Sequence, residues 1–460
     1  MRNAISVFLT LFLLVKLNLS MYTNKQIWNV SSPIFLSLLA QTIIGVTDTA
    51  FLGRVGEVEL GASTMGSLFY ICVFTIAFGF STGSQIIIAR RNGEQRYKDV
   101  GPVMIQGSFF LLIIAVLVFS LSQFLAPGIM RFLISSDKIY DATMAFLNWR
   151  IYGFFFAFVN VMFRALYIGI TRTKVLTISA TVMTLVNVIL AYALIFGNFG
   201  FPKMGIEGAA IASVIAEASS VLFFIVYTYI TVDFKKYGLN QFRYFDIHLL
   251  IRVLSISSFT MMQYFLSMAT WFVFFVAVER LGQRELAVAN IVRSIYVVLL
   301  IPVNALSTTT NTLVSNAIGS GGVGLVMQIM KKIAKLSFMI VFSIVALAVL
   351  FPKMILSVYT NEVALINESV NSVYVISIAI LVASVSNVYF NGISGTGNTR
   401  SALMLETVTL IFYTGYIFLV AVYFKASVEI CFGIEILYYA LLLTGSFIYL
   451  KKANWQSKKL

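Results

Sequence analysis

Twelve separate apolar runs divide this chain, at about 28–52, 61–89, 101–126, 142–167, 175–197, 207–231, 249–279, 286–316, 333–352, 368–393, 401–424 and 427–450. The hydrocarbon core of a bilayer takes about 20 residues of helix to cross. Inside it, each backbone N–H and C=O must find its partner within the protein, which leaves helices as the way to build so many long apolar segments. The sequence therefore specifies an all-α membrane protein with twelve transmembrane helices. Composition agrees: 60% of residues are apolar and 11% charged, against roughly half and a quarter in soluble domains. The net charge of +14 does not point to nucleic acid, because the bases fall in short clusters between apolar runs. Membrane lipid is the surrounding these runs require.

Those clusters set the sides. Arg90, Arg91, Arg96 and Lys98, then Lys235, Lys236 and Arg243, then Lys331, Lys332 and Lys335, then Lys451, Lys452, Lys458 and Lys459 all fall on one side. The opposite loops carry scattered bases such as Arg54, Arg131 and Lys203. Cytoplasmic loops are the Lys/Arg-rich ones, so both termini are expected in the cytoplasm. The longest polar break is the stretch from Asp233 to Arg252. The expected plan is an N-terminal extension over 1–27, a six-helix lobe over 28–232, a linker over 233–248, a second six-helix lobe over 249–450, and a basic tail over 451–460. Residues 1–20 have the short apolar core of a signal peptide, but Lys16 interrupts it and no small-residue cleavage site follows. They are read as a start assigned too early, with Met21 as the beginning.

The two halves match at a fixed offset of 226 residues. Arg54-Val-Gly56 and Glu59-Leu60 lie over Arg280-Leu-Gly282 and Glu285-Leu286; Gly93 lies over Gly319; Gly169 and Thr173 lie over Gly395 and Thr399. Each copy has six spans, so both have the same orientation. The fold expected is two six-helix bundles related by a pseudo-two-fold axis along the membrane normal, with a cavity between the two bundles near the midplane. The repeat also separates scaffold from chemistry. Asp48 maps onto Phe274, Asn187 onto Tyr413, Arg150 onto Ile376 and Arg164 onto Phe390; from the second half, Glu406 maps onto Ala180 and Arg293 onto Ser67. Each is present in one half alone.

Asp48 is the acid that most needs explaining. It lies in the first run, about one turn from its end at Leu52. A carboxylate inside a membrane must be paired, hydrated or protonated, and protonation switches its charge. A proton, a sodium ion and an organic cation can all compete for it. Gln41 stands seven residues earlier on the same helical face, with Thr42 beside it. Asn187 can donate to an ionised carboxylate and accept from a protonated one. Glu217, among small residues in the sixth run, reads as a buried bridge or a cavity wall. Glu406 is placed one turn inside the eleventh run, near the interface. Arg164 and Arg293 are expected to pair with buried acids or backbone carbonyls, with Arg293 also a cavity candidate.

Nothing here reads as an enzyme. There is no phosphate loop, no cofactor motif and no metal-ligand cluster; the single His248 sits in a polar loop, and Cys72 and Cys431 are separate small residues within apolar runs.

The stretch from Asp48-Thr-Ala-Phe-Leu-Gly to Leu60-Gly-Ala62 resembles the opening signature of the multidrug and toxic compound extrusion (MATE) family. Tyr167-Ile-Gly-Ile-Thr-Arg-Thr-Lys174, Asn187 through Gly197 into Gly205-Ile-Glu-Gly208, and Asn387 through Arg400 resemble further elements of it. The resemblance covers nearly everything after about residue 25. It implies a two-lobed, monomeric antiporter of the bacterial inner (plasma) membrane that expels organic, often cationic, molecules in exchange for H+ or Na+. Carried over by position, Asp48 is the ion-linked acid, Asn187 its partner, and Pro33 a helix-bending proline. Where some members have a second acid after the Asn, this chain has Ala191. Where some have acids in helices seven and ten, helix seven here offers Gln263 and Ser267, and Gln263, like Gln41 and Thr42, is a candidate for the substrate cavity. Coupling is thus expected to rest mainly on Asp48. The alternative is a lipid-linked oligosaccharide or polysaccharide flippase of related fold, in which Arg150, Arg164 and Arg293 would gather around a diphosphate.

Overall fold

The structure, a computed structural model, describes residues 22–240 and 245–457. The expectations for residues 1–20, for Arg243 and for Lys458 and Lys459 fall outside the described residues. The spans are α1 (Asn24–Val55), α2 (Glu57–Gly93), α3 (Val100–Leu133), α4a (Asp137–Arg150) with α4b (Gly153–Gly169), α5 (Lys174–Phe196) and α6 (Gly205–Thr231). The second set is α7 (Ile247–Glu279), α8 (Gln283–Gly319), α9 (Val326–Leu350), α10 (Val363–Gly395), α11 (Thr399–Ile417, prolonged by a π-helical turn to Tyr423) and α12 (Val428–Lys452). Eleven of these cross a membrane by length and composition, and α4a with α4b makes the twelfth as a pair bent by 53°. Every expected run lies within one of these helices or the bent pair, give or take a residue or two at its ends. The break in the fourth was not expected.

The internal repeat is visible as reciprocal contacts. Ile27, at the start of α1, packs into the core of the second lobe with Leu306, Leu313 and Ile333. Val253, at the start of α7 and 226 residues later, packs into the core of the first lobe. Gly93 at the end of α2 lies against the backbone of Asn316, and Gly319 at the end of α8 lies against that of Arg90. A Cβ at either glycine would overlap a carbonyl oxygen, so the absence of a side chain is what lets the two helices touch. These contacts define the near end of the molecule, the end that also holds the start of α1 and the end of α12.

Side chains then stitch the same seam. Gln85 donates to Thr312 Oγ1 at 2.9 Å, Asn92 to Asn316 Oδ1 at 3.0 Å, Ser315 to the Ile86 carbonyl at 2.7 Å, and Arg90 to the Thr396 carbonyl at 3.1 Å. Ser257 and Thr260 of α7 donate to the carbonyls of Phe80 and Gly79. Among the described residues, the lobe-to-lobe hydrogen bonds lie in the near halves of the helices they join. Gly319→Leu should push α8 off α2. We expect a lower melting temperature in detergent and faster thiol labelling of a cysteine placed at Asn316, with no such gain for Gly324→Leu, whose Cβ meets open space.

Pro33 shows how the sequence satisfies its own defects. Proline has no N–H, so the carbonyl one turn back, at Asn29, loses its helical donor. Thr173 supplies one, its hydroxyl donating to Asn29 O at 3.3 Å. Thr177 and Thr184 of α5 donate to the carbonyls of Pro33 and Ala40, each at 3.1 Å. This threonine ladder fixes α5 against α1 and so aligns Asn187 with Asp48. Outward-facing apolar side chains such as Phe109, Phe132, Leu222 and Ile411 are exposed, as the lipid-facing surface of a multi-pass membrane protein requires.

Candidate functional site

A cavity of about 380 Å³ opens inside the first lobe, not between the two bundles as expected, because α1, α2, both halves of α4, α5 and α6 wall it among themselves. Gln41, Asp48, Asn187 and Glu217 of the sequence-based candidates line it, together with Tyr70, Arg150, Asn160, Arg164 and Ser213. Asp48 sits seven residues before Val55, where α1 ends, so it is about two turns inside the helix and deeper than the run ending at Leu52 suggests.

Asp48 is held by hydroxyl and amide, not by a base. Ser213 Oγ donates to Asp48 Oδ2 at 3.4 Å, and Asn187 Nδ2 donates to Ser213 Oγ at 3.2 Å. Asn187 is fully buried. The other oxygens, Asp48 Oδ1 and Asn187 Oδ1, are buried without a donor. Two acceptors left open in a low-dielectric wall cost free energy until something positive reaches them. A proton on Asp48 or a cation would do so. Ser213 was not among the expected residues; its signal was its place four residues before Glu217, on the same face of α6.

Deeper along the cavity, Glu217 is the bridge anticipated from its small neighbours, and its partner is Arg150. The guanidinium engages the carboxylate through two bonds, Nη1 to Oε2 at 3.0 Å and Nη2 to Oε1 at 2.6 Å. Both side chains are 12% exposed. Tyr70 donates to the same carboxylate at 3.0 and 3.1 Å, and Arg150 lies 3.5 Å over its ring. This cluster sits at the kink of α4. The Cβ of any larger residue at Gly153 would press on Arg150, Glu217 and the Tyr70 hydroxyl. The bend and the ion pair are therefore one construction, and neither can be read from local periodicity because the partners are 67 residues apart.

The remaining candidates lie elsewhere. Thr42 does not line the cavity: its hydroxyl donates back to the Leu38 carbonyl at 3.0 Å, within its own helix. Gln263 and Arg293 belong to the second lobe. Arg293 stacks 5.1 Å from the Phe275 ring centre and has no acidic partner among the described residues, so the expected acid or carbonyl for it is not found there. Arg164 likewise has neither an ion pair nor a hydrogen bond among the described residues. Pro33 lies inside an unbroken α1, while the sharp bend falls in α4.

Two acids of the second lobe are buried. Glu406 was expected near the interface; it is 2% exposed, bonded by Ser267, and by Tyr438 at 3.2 Å. Its Oε2 has no donor. Glu435 was not anticipated. It is 3% exposed and caged by Tyr296 at 2.7 Å and Tyr413 at 2.9 Å, with Tyr439 bonded to Tyr296. An acid within the apolar run of α12 was the signal. Neither acid has a basic partner among the described residues.

Fold and site together define a multi-pass helical membrane protein built on an internal repeat, with a charged slot in its first lobe. A family model, MatE, matches residues 33–193 and 258–419, one segment in each lobe. The chain belongs to the MatE family. It is similar to a probable multidrug resistance protein NorM of Agrobacterium fabrum, with 29% identity over 223 residues, 48% of each chain. A protein of the same name from Bacillus licheniformis is 28% identical over 221 residues, again 48% of each. The matched part thus spans about half the length of these curated relatives. In fold it is similar to an outward-facing multidrug resistance MATE family transporter of the MOP superfamily, with TM-score 0.87 and 17% identity over 95% of this chain and 97% of that one. A eukaryotic MATE transporter, AtDTX14, superposes with TM-score 0.83 and 14% identity over 94% and 96%.

Proposed function

We propose that this protein is a secondary active efflux antiporter. It exports organic molecules, cations foremost, in exchange for protons or sodium ions, and Asp48 is the coupling acid. The observation that carries this reading is a carboxylate lining a drug-sized slot, with no base bonded to it and one oxygen left without a donor. Cavities of some hundreds of cubic ångströms, mostly apolar with a few placed polar groups, suit drug-sized ligands. Protonation at Asp48 and cation binding at Asp48 exclude each other, and that exclusion is the elementary requirement of exchange. Protons are favoured over sodium, because the site presents Ser213 and Asn187 rather than the larger oxygen cage a metal ion takes. The near end, rich in Lys and Arg, is assigned to the cytoplasm of a bacterial inner membrane.

The relatives named as multidrug resistance proteins support this reading. The flippase alternative asks for several guanidinia converging on one diphosphate. Arg150 is already neutralised by Glu217, and Arg293 stacks on Phe275 in the other lobe, which leaves Arg164 alone. The test is expression in a bacterium stripped of its own efflux pumps. Tolerance of ethidium, rhodamine 123 and cationic antibiotics should rise severalfold. No shift across the panel, with the protein shown to be in the membrane, overturns the reading.

A further inference from the structure

We infer that Arg164 is a specificity-determining residue of the slot, the docking point for an acidic group on the transported molecule. The inference rests on the efflux reading and names the residue that selects among its substrates.

Arg164 lies on α4b, one turn beyond Asn160. Its side chain lines the first-lobe slot and also a smaller pocket between the lobes, beside Gln85, Tyr264 and Asn391. A guanidinium within a membrane-spanning segment normally has an acid or a set of carbonyls as its partner. Three other arginines follow that rule: Arg150 has Glu217, Arg91 has Glu94, and Arg90 has the Thr396 carbonyl; Arg293, which has neither, is covered by the Phe275 ring. Arg164 has no ion pair, hydrogen bond or ring contact among the described residues, although it faces two cavities.

The slot is long and its free charges sit at opposite ends. Along α5 the lining runs from Leu176 to Asn187, a rise of about 16 Å. Asp48, Asn187 and Ser213 occupy one end. Arg164 stands with Leu176 and Phe224 at the other, near end. Between them Arg150 and Glu217 cancel one another. What remains is one unpaired carboxylate and one unpaired guanidinium, separated by a wall of Tyr70, Phe74, Phe78 and Val161. A pure cation satisfies one end. An elongated amphiphile with a basic group and a carboxylate or sulfonate satisfies both, and the planar fork of arginine matches the two oxygens of such an anion.

The experiment uses two dyes that differ in one group. Rhodamine 123 is a cationic methyl ester; rhodamine 110 is its free acid. Export from proteoliposomes and binding to purified protein by fluorescence anisotropy are measured for wild type, Arg164→Gln and Arg164→Lys. In Arg164→Gln the KM and Kd for rhodamine 110 should rise by about tenfold, the scale of one charge-assisted hydrogen-bonded contact. Those for rhodamine 123 should fall, because a cation no longer meets a like charge. Arg164→Lys should lie between wild type and Gln for rhodamine 110. Equal losses for both dyes, or no change for either, overturn the inference. Displacement of rhodamine 110 by phosphatidylglycerol, abolished in Arg164→Gln, assigns the guanidinium to a lipid phosphate and also overturns it. If the wild type exports neither dye, the efflux reading falls, and the two Kd values still decide whether Arg164 binds an anion.

Discussion

Asp48→Asn should reduce drug export to the level of empty vesicles under an imposed pH gradient and under an imposed sodium gradient. Asparagine keeps the shape of the side chain and can still accept from Ser213, so the α1–α6 contact survives. What it loses is the ability to alternate between charged and neutral forms. The measurement is dye efflux from proteoliposomes, paired with thermal unfolding to show that the variant is folded. Export at the wild-type rate under either gradient would move the coupling site elsewhere. Glu217 is then a poor successor, since Arg150 neutralises it. Glu406 is the better one, because it is buried, has one oxygen without a donor and has no basic neighbour bonded to it.

Glu217→Ala carries the largest expected cost in stability. Removing one partner of a buried ion pair strands the other charge, which typically costs about 3–5 kcal/mol. Here the stranded group would be Arg150, 12% exposed and wedged between Tyr70 and Gly153. The melting temperature in detergent should fall by many degrees. The double variant Arg150→Met with Glu217→Leu should recover most of the loss, because two apolar chains of similar bulk leave no charge unpaired. If the single variant melts like wild type, the pair does not hold the kink of α4.

The spans, the repeat and the first-lobe acid were all legible in the sequence, and the reason is physical. Apolar runs report solvent, which acts on each helix separately. The 226-residue offset reports two copies of one scaffold. Asp48 stands out because an acid in hydrocarbon is conspicuous whatever surrounds it. The contacts that give such residues their meaning are not local. Glu217 and Arg150 were each visible but their pairing was not, and the kink that joins them has no proline to announce it. Glu406 was placed near the interface by its distance from the end of an apolar run; it is buried because Ser267 and Tyr438 arrive from α7 and α12. Glu435 could have been found by the rule that selected Asp48. Its three tyrosines, from α8, α11 and α12, could not.

The seam between α2 and α8 has a consequence for leakage. Gly93 and Gly319 bring backbone against backbone, so no single side chain can swing aside to admit water at the near end. Parting α2 from α8 means giving up Gln85–Thr312, Asn92–Asn316 and Ser315–Ile86 together, and parting the lobes also breaks the bond from Arg90 to Thr396 after α10. A barrier of this kind is either shut or undone along several turns, with little in between. Partial openings, through which a small ion could slip without its cargo, are the states such a seam makes rare. On the efflux reading, the glycines that let the lobes touch would thereby keep an ion gradient from draining through the protein.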